Sequence, residues 1–368
     1  MSDAEVEVEA MAETEIFLGT GKGTFILQSR NDRTAWQVRG PFCGLQPINH
    51  VIKDPANGAI YAAGGSQWEG ACVWRSLDHG ESWTKHDNGL AYPDDRPKLD
   101  TVWSLAVQNG RIYAGVRPAG LFVSDDQGEN WSEVMGLTNH PTRGEWGGGG
   151  AGMILHHIKP HPTDPKAMWV GVSVAGVFYT ADGGKSWEPR NRGTRQDYAP
   201  EAERLPEWGQ CVHSLSLAAG SSDILYQQNH CGMYRSDDGG LSWISIEAGL
   251  PSSFGFPVAT HPHDPKTAYL VPLNGDSDGR YMPNAKAAVW RTRDAGATWE
   301  DLRSGLPQEH AYQCVLRQAM ATDQAPTAGV YFGTGSGTLY GSINEGDDWR
   351  PLIEHLPGIN AVEAYAVD

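Results

Sequence analysis

One eight-residue pattern, Ser/Thr-x-Asp-x-Gly-x-x-Trp, returns five times along this chain, and its spacing leaves few folds open. The intact copies are Ser76/Asp78/Gly80/Trp83, Ser124/Asp126/Gly128/Trp131, Thr180/Asp182/Gly184/Trp187, Ser236/Asp238/Gly240/Trp243 and Thr292/Asp294/Gly296/Trp299. A sixth has Asn344 between Ser342, Gly346 and Trp349, and a seventh keeps Ser29, Asn31 and Trp36 but places Arg33 where glycine belongs. Start-to-start separations of 47, 48, 56, 56, 56 and 50 residues match one four-stranded propeller blade each. Seven copies predict an all-β, single seven-bladed β-propeller.

The pattern reads as a tight turn. The hydroxyl and carboxylate bond nearby backbone N–H groups, and glycine takes positive φ without a Cβ clash. The Trp then opens the next strand and buries its ring between sheets. Residues 15–368 are assigned to the propeller and 1–14 to an acidic disordered tail. The first repeat supplies only three strands, Ile16 to Gly21, Thr24 to Ser29 and Thr34 to Val38, while Ala361 to Val367 has no blade of its own. The C-terminal strand is therefore expected to complete blade 1 as its innermost strand, which removes an unpaired edge.

No apolar run approaches the ~18 residues of a membrane helix. The start lacks the basic and apolar segments of a secretory signal, which points to a cytoplasmic protein. A net charge of -17 argues against nucleic acid or an anionic membrane as partner. The five cysteines, Cys43, Cys72, Cys211, Cys231 and Cys314, lack Cys-x-x-Cys spacing and read as reduced thiols. A monomer or homodimer is expected.

Strand direction sorts the loops onto two faces. The repeated turns share one face with turns such as His161-Pro-Thr-Asp-Pro165 and His261-Pro-His-Asp-Pro265, so His161, His261 and His263 read as turn formers. The opposite, open face carries the functional candidates. Aligning Ile48 to Lys53 with Ile154 to Lys159, and Cys211 to Leu215 with Thr101 to Leu105, places His50, Trp103, His156 and His213 at one position of the innermost strands. Phe256, Arg317 and Glu363 follow by turn-based alignment, the last two within one residue. His50, His156, His213 and Glu363 match a site for Zn, Mn or Fe with a position left for water or substrate. The competing reading is a metal-free polar channel.

Loops on the open face add further candidates. Glu145-Trp146-Gly147 and Glu207-Trp208-Gly209 set a carboxylate beside an indole, as a sugar site requires. His230 joins His156, His213, Glu145 and Glu207 as a catalytic candidate. Arg117, Arg317, Arg280, Tyr281, Trp68, Trp103, Trp146 and Trp208 are the substrate-binding candidates. The insertion from Asn274 to Ala285 reads as a lid. The glycine run from Gly147 to Gly150 lacks the lysine and helix of a phosphate loop and reads as allowing close backbone approach.

The repeat resembles the Asp-box, or bacterial neuraminidase repeat, found in sialidases, sortilin-type receptors, some glucan hydrolases and a photosystem II assembly factor. The resemblance spans about residue 15 to 368 and implies the propeller fold rather than one activity. Sialidases of this type carry an early Arg-Ile-Pro motif, an arginine cluster, a Tyr/Glu nucleophile pair and an Asp acid. Here the first blade offers only Arg39-Gly40-Pro41, so there is no match to the sialidase motifs. Glucan hydrolases of this class commonly use two tandem propellers, and this chain has one. The histidine ring belongs to none of these relatives' motifs.

The reading is an enzyme of hydrolase or lyase type, acting on a small polar or sugar-like molecule in an axial pocket opposite the Asp-boxes, with or without a metal. The alternative is a non-catalytic scaffold that binds a glycan or a protein. Metal-dependent oxygen chemistry is a third reading.

Overall fold

The computed structural model describes residues 13–30, 32–66 and 69–367. Among these, the strands form seven four-stranded antiparallel sheets, one per repeat, arranged as a seven-bladed β-propeller. Blade 2 is typical, running outward through Ile48–Lys53, Ile60–Ser66, Gly70–Ser76 and Thr84–His86. Its first three strands are largely buried and the outermost is not. Blade 1 is built from both ends of the chain. Ile359–Val367 is innermost, pairing Phe17 with Glu363 and Thr14 with Ala366, and Glu13–Thr20, Gly23–Ser29 and Gln37–Phe42 follow outward.

Two boundaries differ from the sequence-based expectation. The propeller begins at Glu13, since Thr14 already pairs across blade 1, and the rest of the acidic segment assigned to 1–14 lies outside the described residues. The fourth strand of blade 1 starts at Gln37 rather than Thr34. The turn occupies the intervening residues, and pairing resumes where Gln37 and Val38 meet Gln28 and Leu27.

The repeated turns owe their shape to a small hydrogen-bond set. In blade 2, the Ser76 hydroxyl donates to Asp78 Oδ1 (2.8 Å) and accepts from Gly80 N (2.8 Å). Asp78 also accepts from Ser82 N (2.9 Å) and the Ser82 hydroxyl (2.6 Å), and Trp83 Nε1 donates to Gly80 O (3.1 Å). Gly80 sits at φ +86, a conformation that favours glycine, and a Cβ there would come within 2.5 Å of Ile26 Cδ1, so the isoleucine side chain would have to shift. Arg33, at the glycine position of blade 1, takes φ +62. Its guanidinium lies 3.0 Å from buried Asp323, an ion pair that offsets the strain.

The core lies between blades. Tyr61, Tyr113, Trp169, Tyr226, Tyr269 and Tyr331 fill one equivalent position, next to the residue paired with the box Ser/Thr, in six blades. All six are buried, and with box residues Trp131, Trp187, Trp243 and Trp349 they form an aromatic belt. Removing one such ring costs roughly 3–5 kcal/mol. Blade 1 has Glu15 at that position, held by Lys53 Nζ at 2.8 Å.

Strand direction puts the boxes and the turns between first and second strands on one face, as expected. The turn histidines are structural: His161 Nδ1 accepts from Asp164 N (2.9 Å), and His261 Nδ1 accepts from His263 N and Asp264 N (both 3.1 Å). All five cysteines are free thiols. No helix among the described residues is long and apolar enough to cross a membrane.

Candidate functional site

Inner strands of blades 2 to 6 share an irregularity at one height, where an extra residue interrupts pairing with the second strand. Asn49, Trp103, His156 and His213 are the extra residues in blades 2 to 5, and Phe256 falls within the corresponding interruption of blade 6. A bulge re-aims side chains, and it corrects the expected histidine ring. His50 pairs with Ala63 as His157 pairs with Gly171, so the structural counterpart of His50 is His157 rather than His156. A gapless alignment of the two strands misses this by one residue.

Two cavities lie near the axis. Gln318 reaches across the axis from blade 7, its amide donating to His156 O (2.9 Å) and Trp103 O (3.2 Å), while its backbone carbonyl accepts from Val362 N (2.8 Å). On one side lies an axial cavity of about 220 Å³, lined by His50, His156, His157, Lys159, Gln318 and Glu363 among others. On the open face lies a pocket of about 330 Å³ containing His213, His230, Cys211, Tyr198, Phe254, Phe256, Arg280, Arg317, Ser173 and the chain from Gly147 to Gly152.

Of the four residues expected to share a metal, His50, His156 and Glu363 line the axial cavity and His213 lines the open-face pocket. His50 Nε2 donates to Glu363 Oε1 (3.0 Å) while its Nδ1 accepts from Leu105 N (3.0 Å), which engages both ring nitrogens. His156 is fully buried with Nε2 on the Ser173 hydroxyl (2.8 Å), and its ring stands edge-on to Trp103. His213 Nδ1 donates to Gly255 O (2.7 Å), leaving Nε2 as the acceptor. Burial first, and then the nearby Arg317 guanidinium, push His156 and His213 well below the ordinary imidazole value, so both are neutral at neutral pH. Burial also lowers Lys159, against the opposing charge of Glu363.

The open-face pocket combines cations with a neutral imidazole. Arg280 comes from the expected lid insertion, where it holds φ +53, and Arg317 lies over the Phe256 ring at 4.5 Å. No Asp or Glu is among the described lining residues. The glycine run forms one wall. A Cβ on Gly150 would meet nothing within 4 Å and one on Gly149 only Val174 Cγ2 at 3.6 Å, so packing does not require glycine at either position. Their smoothness keeps the pocket open.

Other candidates have structural work. Trp146 is buried against Phe178 and His140 and donates to the Thr142 hydroxyl (2.9 Å), so it is a core residue rather than a sugar platform. Glu145 accepts from Trp208 Nε1 (3.2 Å), a bond that ties the two Glu-Trp-Gly loops together. Neither Glu145 nor Glu207 lines the pocket, and Glu207 borders a separate groove with Arg190 and Leu205. Arg117 makes a fork with Asp100 (2.9 and 3.1 Å), and Tyr281 packs edge-on against Tyr312 at 5.0 Å. Trp103 lines a small cavity of about 90 Å³ with Asn49 and Asn360. Trp68 lies outside the described residues.

The sequence reading passed over Cys211, Tyr198, His157 and Lys159. A signal for the first existed. Cys211 immediately precedes the strand Val212–Leu217, in which Val212 pairs with Asn229, and this sets His230 directly across from Cys211. The His157 signal was hidden by the bulge.

Fold and repeat together define an Asp-box β-propeller with an open-face pocket. The family model described as BNR/Asp-box repeat matches residues 122–133. A probable oligoxyloglucan-reducing end-specific xyloglucanase of Neosartorya fischeri is 25% identical over 334 residues, covering 88% of this chain and 36% of that protein. The chain thus spans about a third of the length of that relative. Among solved structures, an ancestral GH74 enzyme superposes with a TM-score of 0.55 at 19% identity, over 84% of this chain and 37% of that one. YCF48 from Cyanidioschyzon merolae superposes with a TM-score of 0.53 at 13% identity, over 83% and 84% of the two chains. The structural likenesses show the fold, while the sequence relative is named as a xyloglucanase.

Proposed function

We propose that the protein is an enzyme of hydrolase or lyase type that takes a small polar substrate with an anionic group, such as a sugar acid or organic acid, into the open-face pocket. The observation that carries this reading is the pairing of Arg280 and Arg317 with the neutral, tautomer-defined His213 in one cavity whose described lining holds no carboxylate. The guanidiniums bind a carboxylate by charge-assisted hydrogen bonds. The Nε2 lone pair of His213 is the reactive group, available to a proton or to a Lewis acid. The volume suits one sugar-sized molecule.

The likeness to a xyloglucan-acting relative supports a sugar-like substrate. It does not extend to the usual mechanism, because two carboxyls set ~5–9.5 Å apart across the bond are required and none is among the described residues lining this pocket. That same absence favours a second reading, a binding scaffold without turnover.

Calorimetry and turnover assays with a panel of hexuronic and hydroxy acids test both. Arg317→Ala should weaken binding about tenfold or more, from the loss of one charged hydrogen-bonding partner. His213→Gln should retain binding and lose turnover if the protein is an enzyme. Binding without turnover in the parent protein leaves the scaffold, and acid binding indifferent to Arg280→Ala and Arg317→Ala removes the pocket assignment.

A further inference from the structure

We infer that Cys211, His213 and His230 form a three-ligand site for a thiophilic ion of the zinc or copper(I) class, with its remaining position open to the pocket. One potential ligand atom from each residue lies within 4.8 Å of the others. Donors around a tetrahedral ion at ~2.0–2.3 Å stand roughly 3.3–3.8 Å apart. Closure by about an ångström, a side-chain adjustment, would complete the site.

The backbone already supplies the frame. Val212 pairs with Asn229, and His230 N donates to Cys211 O at 2.9 Å, so thiol and imidazole sit on adjoining strand ends at fixed separation. His213, two residues beyond Cys211, is the bulged residue, and its ring centroid lies 5.4 Å from that of His230. Three ligands from two hydrogen-bonded segments need little ordering on binding.

A second, independent observation points the same way. His213 Nδ1–H is spent on the Gly255 carbonyl at 2.7 Å, the partner that metal-bound histidines commonly use to orient the ring and set the opposite nitrogen as donor. Phe254 stands edge-on to both imidazoles, at 5.4 Å from His213 and 5.2 Å from His230, and Tyr198 stands edge-on to His230 at 5.9 Å. These rings restrict imidazole rotation and lower the local polarity.

Ligand chemistry selects the ion. A thiolate with two imidazoles suits zinc and copper(I), and the absence of carboxylates among the described lining residues disfavours magnesium, calcium and manganese. Iron is disfavoured relative to the zinc class for the same reason. Arg280 and Arg317 would repel a bare dication, but one thiolate offsets part of that charge and an anionic fourth ligand offsets the rest. The identity of the fourth ligand rests on the reading of the preceding section; the three protein ligands do not.

The test uses the untagged full chain. Zinc is titrated against a chromophoric chelator, and cobalt(II) is then substituted to look for the thiolate-to-cobalt charge-transfer band. Copper(I) is titrated separately against its own chelator under anaerobic conditions. The expected result is one equivalent of zinc or of copper(I), with the band present, and affinity weakened at least tenfold in Cys211→Ser and in His230→Ala but unchanged in His50→Ala. Failure of both metals to bind stoichiometrically at micromolar concentration, or bound cobalt without the band in the parent protein, overturns the site without reliance on any variant. Acid binding with and without metal separates the two ideas. Metal bound but no acid taken up leaves the ion site standing and removes the pocket reading, whereas acid taken up equally in Cys211→Ser with no metal bound does the reverse.

Discussion

Single side chains in the sixth repeat show how a local rule survives substitution. In five boxes an aspartate accepts from a hydroxyl or amide four residues on, as Asp182 does from Ser186 (2.6 Å) and Asp126 from Asn130 (2.6 Å). In the sixth the polarity is reversed: Asn344 Nδ2 donates to Asp348 Oδ2 at 3.2 Å, while Asn344 Oδ1 keeps its bonds to the Ser342 hydroxyl and Asp348 N. Restoring the consensus should therefore harm the protein. N344D sets two carboxylates at hydrogen-bond distance and is expected to destabilise by about 1 kcal/mol, the scale of one hydrogen bond lost. N344D/D348S should recover that loss in urea unfolding, and additive behaviour of the two changes would refute the coupling. At this scale the box residues were legible in the sequence because their partners lie within four positions. His50 and His156 were not, since an extra residue in a strand leaves no mark in composition or alternation.

Among elements, the box turn is the unit that responds to pH. Hydrogen bonds from Ser82, Asn130 and Ser186, with others from backbone N–H groups, lower Asp78, Asp126 and Asp182 to about 2. A carboxylate depressed on folding contributes stability above its unfolded value, ~3.9, and loses it as pH falls through the folded value. The urea midpoint should thus fall between about pH 4 and pH 2. Asp182→Asn keeps the acceptor oxygen but removes one titrating group, so its midpoint should decline less steeply over that window. A slope identical to the parent's would show that these turns do not drive acid unfolding. Strand edges were less legible than turns: the fourth strand of blade 1 is displaced to Gln37–Phe42 because its start depends on where cross-strand pairing resumes. The aromatic belt from Tyr61 to Tyr331 was not read from the sequence, because its common register emerges only from pairing with the box serines and threonines.

For the whole molecule, the decisive feature is the blade made from both termini, a pairing readable beforehand from strands missing at one end and left over at the other. Ile359 and Val362 are fully buried, and together they are worth about 3–6 kcal/mol of burial. A domain has roughly 5–15 kcal/mol in all, so truncation after Gly358 should abolish a single cooperative unfolding transition. Calorimetry showing an unchanged transition would refute closure by this strand. The open-face pocket was legible only in outline, since the plug formed by Gln318 joins blade 7 to blades 3 and 4, a contact across the ring that no repeat periodicity encodes. The two-ended blade has a further consequence for synthesis. Six blades can assemble as they leave the ribosome, but the first must wait with its inner edge bare until Ile359–Val367 emerges, so Glu13–Thr20 stays exposed to mispairing while the six intervening blades are made.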